Sequence, residues 1–220
     1  MSTIASIIQL LSVSTALVGA GGIATLSAFD IPILQAQPAS RSLPSTRWLF
    51  SRGSHVFPTA AFLSSAGFAY LSYAALPPNA APLLRALSFS KLGGRTIGYA
   101  AAAALSISIA PFTSIVMIPT NFELIKLNNG KGGARSEKSA REQAGGDAMG
   151  RSAEASTNGE GEAPQFTDLS KPQERTKEDT TTAEDEEVKR LLAKFASLNT
   201  TRAILLGAGG VVGLWTALVL

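Results

Sequence analysis

Cysteine is absent from this 220-residue chain, and histidine occurs once, at His55. Composition alone therefore excludes disulfide frameworks and thiolate- or His-rich metal sites. It also excludes tetraspan architectures whose outer loops are stapled by disulfides. Only two acids, Asp30 and Glu123, stand outside the segment from Lys126 to Arg202, too few to bridge a pair of metal ions. No Lys or Arg occurs in the first 29 residues, so the positive flank of a secretory signal is missing and the first apolar run is expected to stay as a span. No nucleophile elbow is present. The Gly-Lys-Gly-Gly-Ala-Arg stretch from Gly130 lacks both the preceding strand and the Lys-Ser/Thr ending of a phosphate-binding loop. No nucleic-acid partner is expected, and the net charge of +3 is uninformative, because most of the charged residues lie in one long, mixed-charge loop.

What the chain does have is length without charge. Four runs carry no Lys, Arg, Asp or Glu: Ser2 to Phe29, Val56 to Leu84, Ile97 to Phe122 and Ala203 to Leu220. A bilayer's hydrocarbon core takes about 20 apolar residues as a helix. Helices buried in soluble bundles are commonly only about 10 to 14 residues long. The expected fold class is all-α, a four-helix transmembrane bundle in an integral, multi-pass membrane protein. Small residues four apart, at Ala16, Ala20 and Ala24, at Ala100 and Ala104, and at Gly209 and Gly213, predict close helix contacts.

Between spans three and four the composition changes. Gly130 to Thr182 is rich in Gly, Ser, Thr, Ala and charge, with few aliphatics, and is expected to be a disordered loop. Its end is different: Val188, Leu191, Leu192 and Phe195 recur at helical spacing and predict an amphipathic helix that docks back. Thr182 and Asp185 stand at capping-box spacing before it. The expected division is therefore 1–129 for three spans and the site region, 130–183 for a dispensable linker, and 184–220 for the amphipathic helix and span four.

The third run is the most informative. Pro111-Phe112-Thr113 and Pro119-Thr120-Asn121 place two prolines and several polar side chains near its end. Prolines free backbone carbonyls, and irregular backbone at membrane depth survives only against protein or a water-lined cavity. This predicts one wall of a site. Ahead of span two, Trp48, Arg52 and His55 fall at i, i+4 and i+7 on one helical face. His55 is the one side chain ready to exchange protons near neutral pH. An interfacial Trp/Arg belt is the competing reading of the same residues.

Arg47-Trp48 with Arg52-Gly53, Tyr99-Ala100-Ala101, Pro111-Phe112-Thr113, Met117 with Pro119-Thr120-Asn121, and Leu198-Asn199 followed by Arg202 together resemble the fungal anthrone oxygenase family. These are small four-span membrane proteins of aromatic polyketide pathways. The similarity covers about Arg47 to Ala75, Tyr99 to Leu127 and Val188 to Gly213. It implies oxidation of a polyketide anthrone to an anthraquinone by O2, with no metal, flavin or other cofactor, in secondary-metabolite biosynthesis on an endomembrane. The chemistry needs a flat apolar pocket, a base and donors for phenolate oxygens. The resemblance implies His55 as base, Arg52 as phenolate partner and Asn121 as hydrogen-bond donor. Trp48 and Phe112 would stack on the rings, with Thr113, Thr120 and Arg202 as further substrate contacts. Implied partners are the anthrone, O2, membrane lipid, and a polyketide synthase with its thioesterase. Two other classes remain open: a non-catalytic membrane scaffold working through its long loop, and a small transporter of the hydrophobic product.

Overall fold

Two Ile-Pro pairs, Ile31-Pro32 and Ile118-Pro119, mark the places where the helices of this chain change their winding. The computed structural model describes residues 2–76, 93–142, 152–158 and 167–220. Among them every regular element is helical: α1 Thr3–Thr25, α2 Ile31–Gln35, α3 Ala39–Ala74, α4 Gly94–Ile107, α5 Ile109–Phe112, α6 Ile118–Gly130, α7 Glu137–Glu142, α8 Ala153–Asn158 and α9 Thr182–Val219. Wide π-helical turns, Leu26–Asp30 and Thr113–Met117, precede the two Ile-Pro pairs. Proline has no N–H for the carbonyl four residues back, and its ring crowds that carbonyl. Widening the preceding turn accommodates both. The backbone around Pro111 and Pro119 thus stays helical throughout, rather than breaking as the sequence suggested.

Three continuous helical stretches are long and apolar enough to cross a membrane: Thr3–Gln35, Gly94–Gly130 and Thr182–Val219. The other expected span begins inside α3 and is helical to Ala74. Its Ser, Thr, Tyr and Pro residues make it the least apolar of the four. The chain reads as a multi-pass membrane protein with an all-α, four-helix bundle. Parts of two expectations, the disorder within 130–183 and the end of the Val56 to Leu84 run, fall on 77–84, 143–151 and 159–166, outside the described residues.

The chain forms two compact units. Unit one comprises residues 1–24, 57–113 and 200–220. Here α1, the second half of α3, α4 with α5, and the second half of α9 bury Ala16, Ile23, Phe68, Tyr99, Ala102 and Leu206 in a shared core. Phe68 stacks on Tyr99 with ring centroids 6.4 Å apart. Close approach matters: a Cβ on Gly213 would meet Phe68 Cε1 at 2.3 Å, and one on Gly98 would meet Thr216 Oγ1 at 2.2 Å. The Ala100/Ala104 contact expected from sequence is not made. Both are exposed, and α4 turns Thr96, Tyr99, Ala103 and Ser106 inward instead, because the large Tyr99 ring buries more apolar area than a methyl. Outward, Ile4, Leu10, Val18, Phe62, Ile204 and Trp215 are exposed, an apolar exterior suited to lipid.

Unit two comprises residues 25–56 and 114–199. The amphipathic start of α9 docks as expected, with Val188, Leu191, Leu192 and Phe195 buried. Its capping box lies one residue earlier than the sequence spacing suggested. Thr181 N–H donates to Glu184 Oε2 at 2.8 Å and Glu184 N–H donates to Thr181 Oγ1 at 3.3 Å. Asp185 serves another helix: its Oδ1 accepts from the Ala39 N–H at 2.8 Å and from Thr180 Oγ1 at 2.7 Å. It thereby caps α3 from a distance, satisfying one of the orphan donors of that helix start. Lys131 Nζ meets Glu184 Oε1 at 2.7 Å. That hydrogen bond is the main cause of the raised Lys131 pKa and holds Glu184 down to about 2. Asn199, in the sequon Asn199-Thr200-Thr201, is fully buried, and its Nδ2 donates to Ser27 Oγ at 3.2 Å.

Candidate functional site

The described ends of the long loop, 131–142 and 167–181, are seated in unit two through polar contacts. Thr176 N–H donates to Ser40 O at 2.8 Å, and Ser40 N–H donates to Thr180 Oγ1 at 3.2 Å. Glu137 N–H donates to Lys171 O at 2.9 Å, and Ala134 N–H to Gln173 Oε1 at 2.6 Å. Residues 167–181 thus form a strap tied to α3 and to the turn after α6. Gly132, with φ +69°, makes that turn.

The strap is fastened on two of the expected site residues. Trp48 Nε1 donates to Ser170 O at 2.9 Å. Arg52 donates to the carbonyls of Asp168 and Ser170, the latter at 3.4 Å. The Arg52 guanidinium lies 5.2 Å from the centroid of the Trp48 ring, a cation–π contact. Asp168 ties the strap internally: it accepts from Ser136 Oγ, from Ser170 N–H at 2.9 Å and from Ser170 Oγ at 2.6 Å. Burial pushes the Asp168 pKa up, but the hydrogen bonds from Ser136 and Ser170 and the Arg52 charge outweigh it, leaving the pKa below its ordinary value.

Trp48, Arg52, His55, Thr120 and Asn121 all belong to unit two. The structure joins Trp48 to Arg52 directly; His55 follows on the next turn of α3, half-buried, with Nε2 out of reach of solvent. Thr120 and Asn121 stand in the first turn of α6, directly after the π-helical turn. Met117, Thr120, Leu124 and Asn128 recur along one face and are each 2% exposed or less. Thr120 Oγ1, Asn121 Oδ1 and both amide atoms of Asn128 are buried with no hydrogen-bond partner among the described residues. Such groups cost about 1–3 kcal/mol each when left unmade, so this face is poor as a purely structural interior. Phe112, Thr113 and Arg202 belong to unit one. Thr113 Oγ1 is engaged by its own helix, donating to Ile109 O at 2.6 Å. Phe112 is half-buried and Arg202 buried.

Sequence reasoning missed Asp168, Ser136 and Ser170, which nothing local distinguishes from the rest of a polar loop. It also missed Asn128, although Asn128 stands eight residues after Thr120 and seven after Asn121, on the same helical face. Trp48 also lines a cleft of about 190 Å³ together with Asp30, Ile33, Ser45, Leu49 and Pro172.

Residues 47–212, well over half of the chain, match the anthrone oxygenase family. No curated protein and no solved structure matches the chain. The matched region contains Trp48, Arg52, His55, Phe112, Thr113, Thr120, Asn121 and Arg202. By this match the chain belongs to the anthrone oxygenase family.

Proposed function

We propose that this protein converts a polyketide anthrone to an anthraquinone with O2, without metal or flavin, and that Arg52, His55 and Asn121 share one pocket for that reaction. The observation that carries the reading is the dry polar face of α6, where Thr120 Oγ1 and Asn121 Oδ1 are buried without partners among the described residues. A hydroxylated, apolar tricycle supplies the hydrogen-bonding groups that such atoms lack.

In this reading His55 removes one proton from the anthrone methylene, and the carbanion is delocalised as an enolate over the rings. The enolate passes an electron to O2, and the resulting pair of radicals combines at the same carbon to give a peroxide. Protonation and loss of water leave the carbonyl, so one O2 adds one oxygen atom to carbon and releases the other as H2O. Asn121 positions the ring oxygens, and Arg52, held over Trp48, stabilises the developing phenolate charge. Trp48 and Thr120 contribute further substrate contacts. The anthrone would come from an aromatic polyketide synthase and its thioesterase, and the site would work in an endomembrane.

The test is aerobic turnover of an anthrone by purified protein, with the protein-free autoxidation rate subtracted, across pH. His55→Gln is expected to lower turnover by about 10²-fold with unchanged expression. Arg52→Lys keeps the charge but loses the planar fork, so it should impair turnover more than membrane anchoring. Full activity in His55→Gln with an unchanged pH profile would remove His55 from the mechanism.

A further inference from the structure

Asp30 is one of two acids outside the loop region and closes a 28-residue run without charge. An acid at such a place usually caps a helix or pairs with a base. Asp30 does neither among the described residues. It occupies the position before α2 but makes no side-chain cap bond, and no described cation lies within salt-bridge distance. Asp30 instead lines the cleft that the first π-helical turn and α2 form with α3 and the strap. π-Helical turns are rare and recur at functional sites.

The other walls are apolar or already occupied. Ile33 and Leu49 supply aliphatic surface, and Pro172 of the strap adds a rigid flat face. Ser45 Oγ donates to Arg41 O at 3.2 Å within its own helix. The Trp48 indole is fixed by its bond to Ser170 O and by the guanidinium of Arg52. The cleft is therefore an open groove with one aromatic wall, Trp48, and one acidic residue, Asp30. At about 190 Å³ it is smaller than the roughly 300–1,000 Å³ of ordinary ligand pockets. That volume suits one ring of a fused system, not the whole of it.

We propose that this cleft binds one hydroxylated ring of a flat polyphenol, with Trp48 as the stacking wall and Asp30 as the acceptor for a phenolic hydroxyl. The choice of polyphenol rests on the anthrone reading above; the slot's preference for a neutral aromatic donor does not. A lipid acyl chain would leave the Asp30 carboxylate desolvated without a partner, and an anionic headgroup would meet it as a like charge. A quaternary ammonium headgroup would also suit an acid and an indole, and phosphocholine is the competitor that tests it. Trp48 and His55, seven residues apart on α3, are separated by about 10 Å of helix rise, a span comparable to the long axis of a fused tricycle.

The experiment uses the full chain in maltoside micelles on a Trp215→Phe background, which leaves Trp48 as the only tryptophan. A 1,8-dihydroxyanthraquinone and its dimethyl ether are titrated, with Trp48 quenching and calorimetry as readouts. The dihydroxy compound is expected to bind at least tenfold more tightly than the ether, and Asp30→Asn to weaken it about tenfold. Ile33→Trp fills the cleft and should abolish binding, read by calorimetry alone because the variant adds a second tryptophan; Ile33 is 60% exposed, so the substitution does not disturb the interior. Glu123→Gln should bind as the parent does. Unchanged affinity in both Asp30→Asn and Ile33→Trp would overturn the slot, as would competitive displacement by phosphocholine. Binding without anthrone turnover would refute the reaction and leave the slot standing. Turnover that survives in both variants with unchanged affinity would do the reverse.

Discussion

The two units satisfy their polar groups in opposite ways. In unit one most hydroxyls turn to their own helices: Ser12 donates to Ile8 O at 2.7 Å, Ser106 to Ala102 O at 2.8 Å and Thr216 to Val212 O at 2.7 Å, while Thr96 Oγ1 is buried without a partner among the described residues. The few bonds between its helices are single and well made, as where Tyr99 OH donates to Gln9 Oε1 at 2.8 Å and Ser65 Oγ to Ala103 O at 3.0 Å. That is what an apolar surrounding demands, because an unmade hydrogen bond finds no water there. In unit two the bonds reach across the sequence, from Trp48 to Ser170, from Arg52 to Asp168 and from Ala39 to Asp185. It also keeps Thr120 and Asn128 buried without partners among the described residues. Unit one is built to pack; unit two departs from good packing where the proposed chemistry lies.

The contrast is most easily broken at a close contact of unit one. Gly213→Ala would place a methyl 2.3 Å from the Phe68 ring, and overpacking at a site of this kind costs up to about 3 kcal/mol. Gly21 is the control, because a Cβ there would meet nothing within 4 Å. Alanine at that position should be neutral or stabilising by up to about 1 kcal/mol. Unfolding of both variants in micelles by SDS titration separates them. Equal midpoints would mean that Phe68 moves aside without penalty.

Removing the tie at Asp168 should loosen unit two without touching unit one. Asp168→Ala leaves Ser136 and Ser170 without their common acceptor, an effect of about 2 kcal/mol on strap docking. Trypsin should then cut at Arg175 and Lys177 several times faster, while the helical signal is unchanged. Acid offers the same test without mutation. The folded Asp168 pKa is depressed, so its contribution is fully present above the ordinary carboxylate range and is lost as the pH falls through the lower, folded value. The half-buried Lys131–Glu184 pair at the surface fails in the same window, since the Glu184 pKa is held down to about 2, but such pairs contribute little. Trp48 fluorescence on the Trp215→Phe background should stay constant from pH 7 to about 5 and change only below that. A transition near neutral pH would assign strap docking to another group.

The smallest effect is the most diagnostic, because its sign differs between the units. Thr120→Val removes a buried hydroxyl that has no partner among the described residues and should stabilise by up to about 1 kcal/mol while lowering anthrone turnover. Thr216→Val removes a hydroxyl that is bonded to Val212 O and should destabilise by a similar amount, about 1 kcal/mol, with turnover per folded molecule unchanged. If both changes destabilise, Thr120 is structural and the site argument from its burial falls.

Much of this protein is legible in its amino-acid sequence. Charge-free length fixes helices in a membrane, because hydropathy and span length are properties of a local stretch. The amphipathic face of Val188, Leu191, Leu192 and Phe195 is legible for the same reason, and so is the cluster of motifs that marks the family. Trp48, Arg52 and His55 on one face of α3 follow from helical periodicity alone. Only the tertiary structure decided which groups those side chains meet. The partners of Trp48 and Arg52 lie 122 and 116 residues away, in a loop whose composition resembles any solvated linker. A separation of 146 residues likewise hid the α3 cap, where Asp185 serves Ala39 instead of its own helix. The two Pro residues predict irregular backbone, but whether a helix breaks or widens depends on what packs around it, and here it widens into π-helical turns. Apolar periodicity is written into neighbouring residues; the pairing of polar groups is set by where the chain returns.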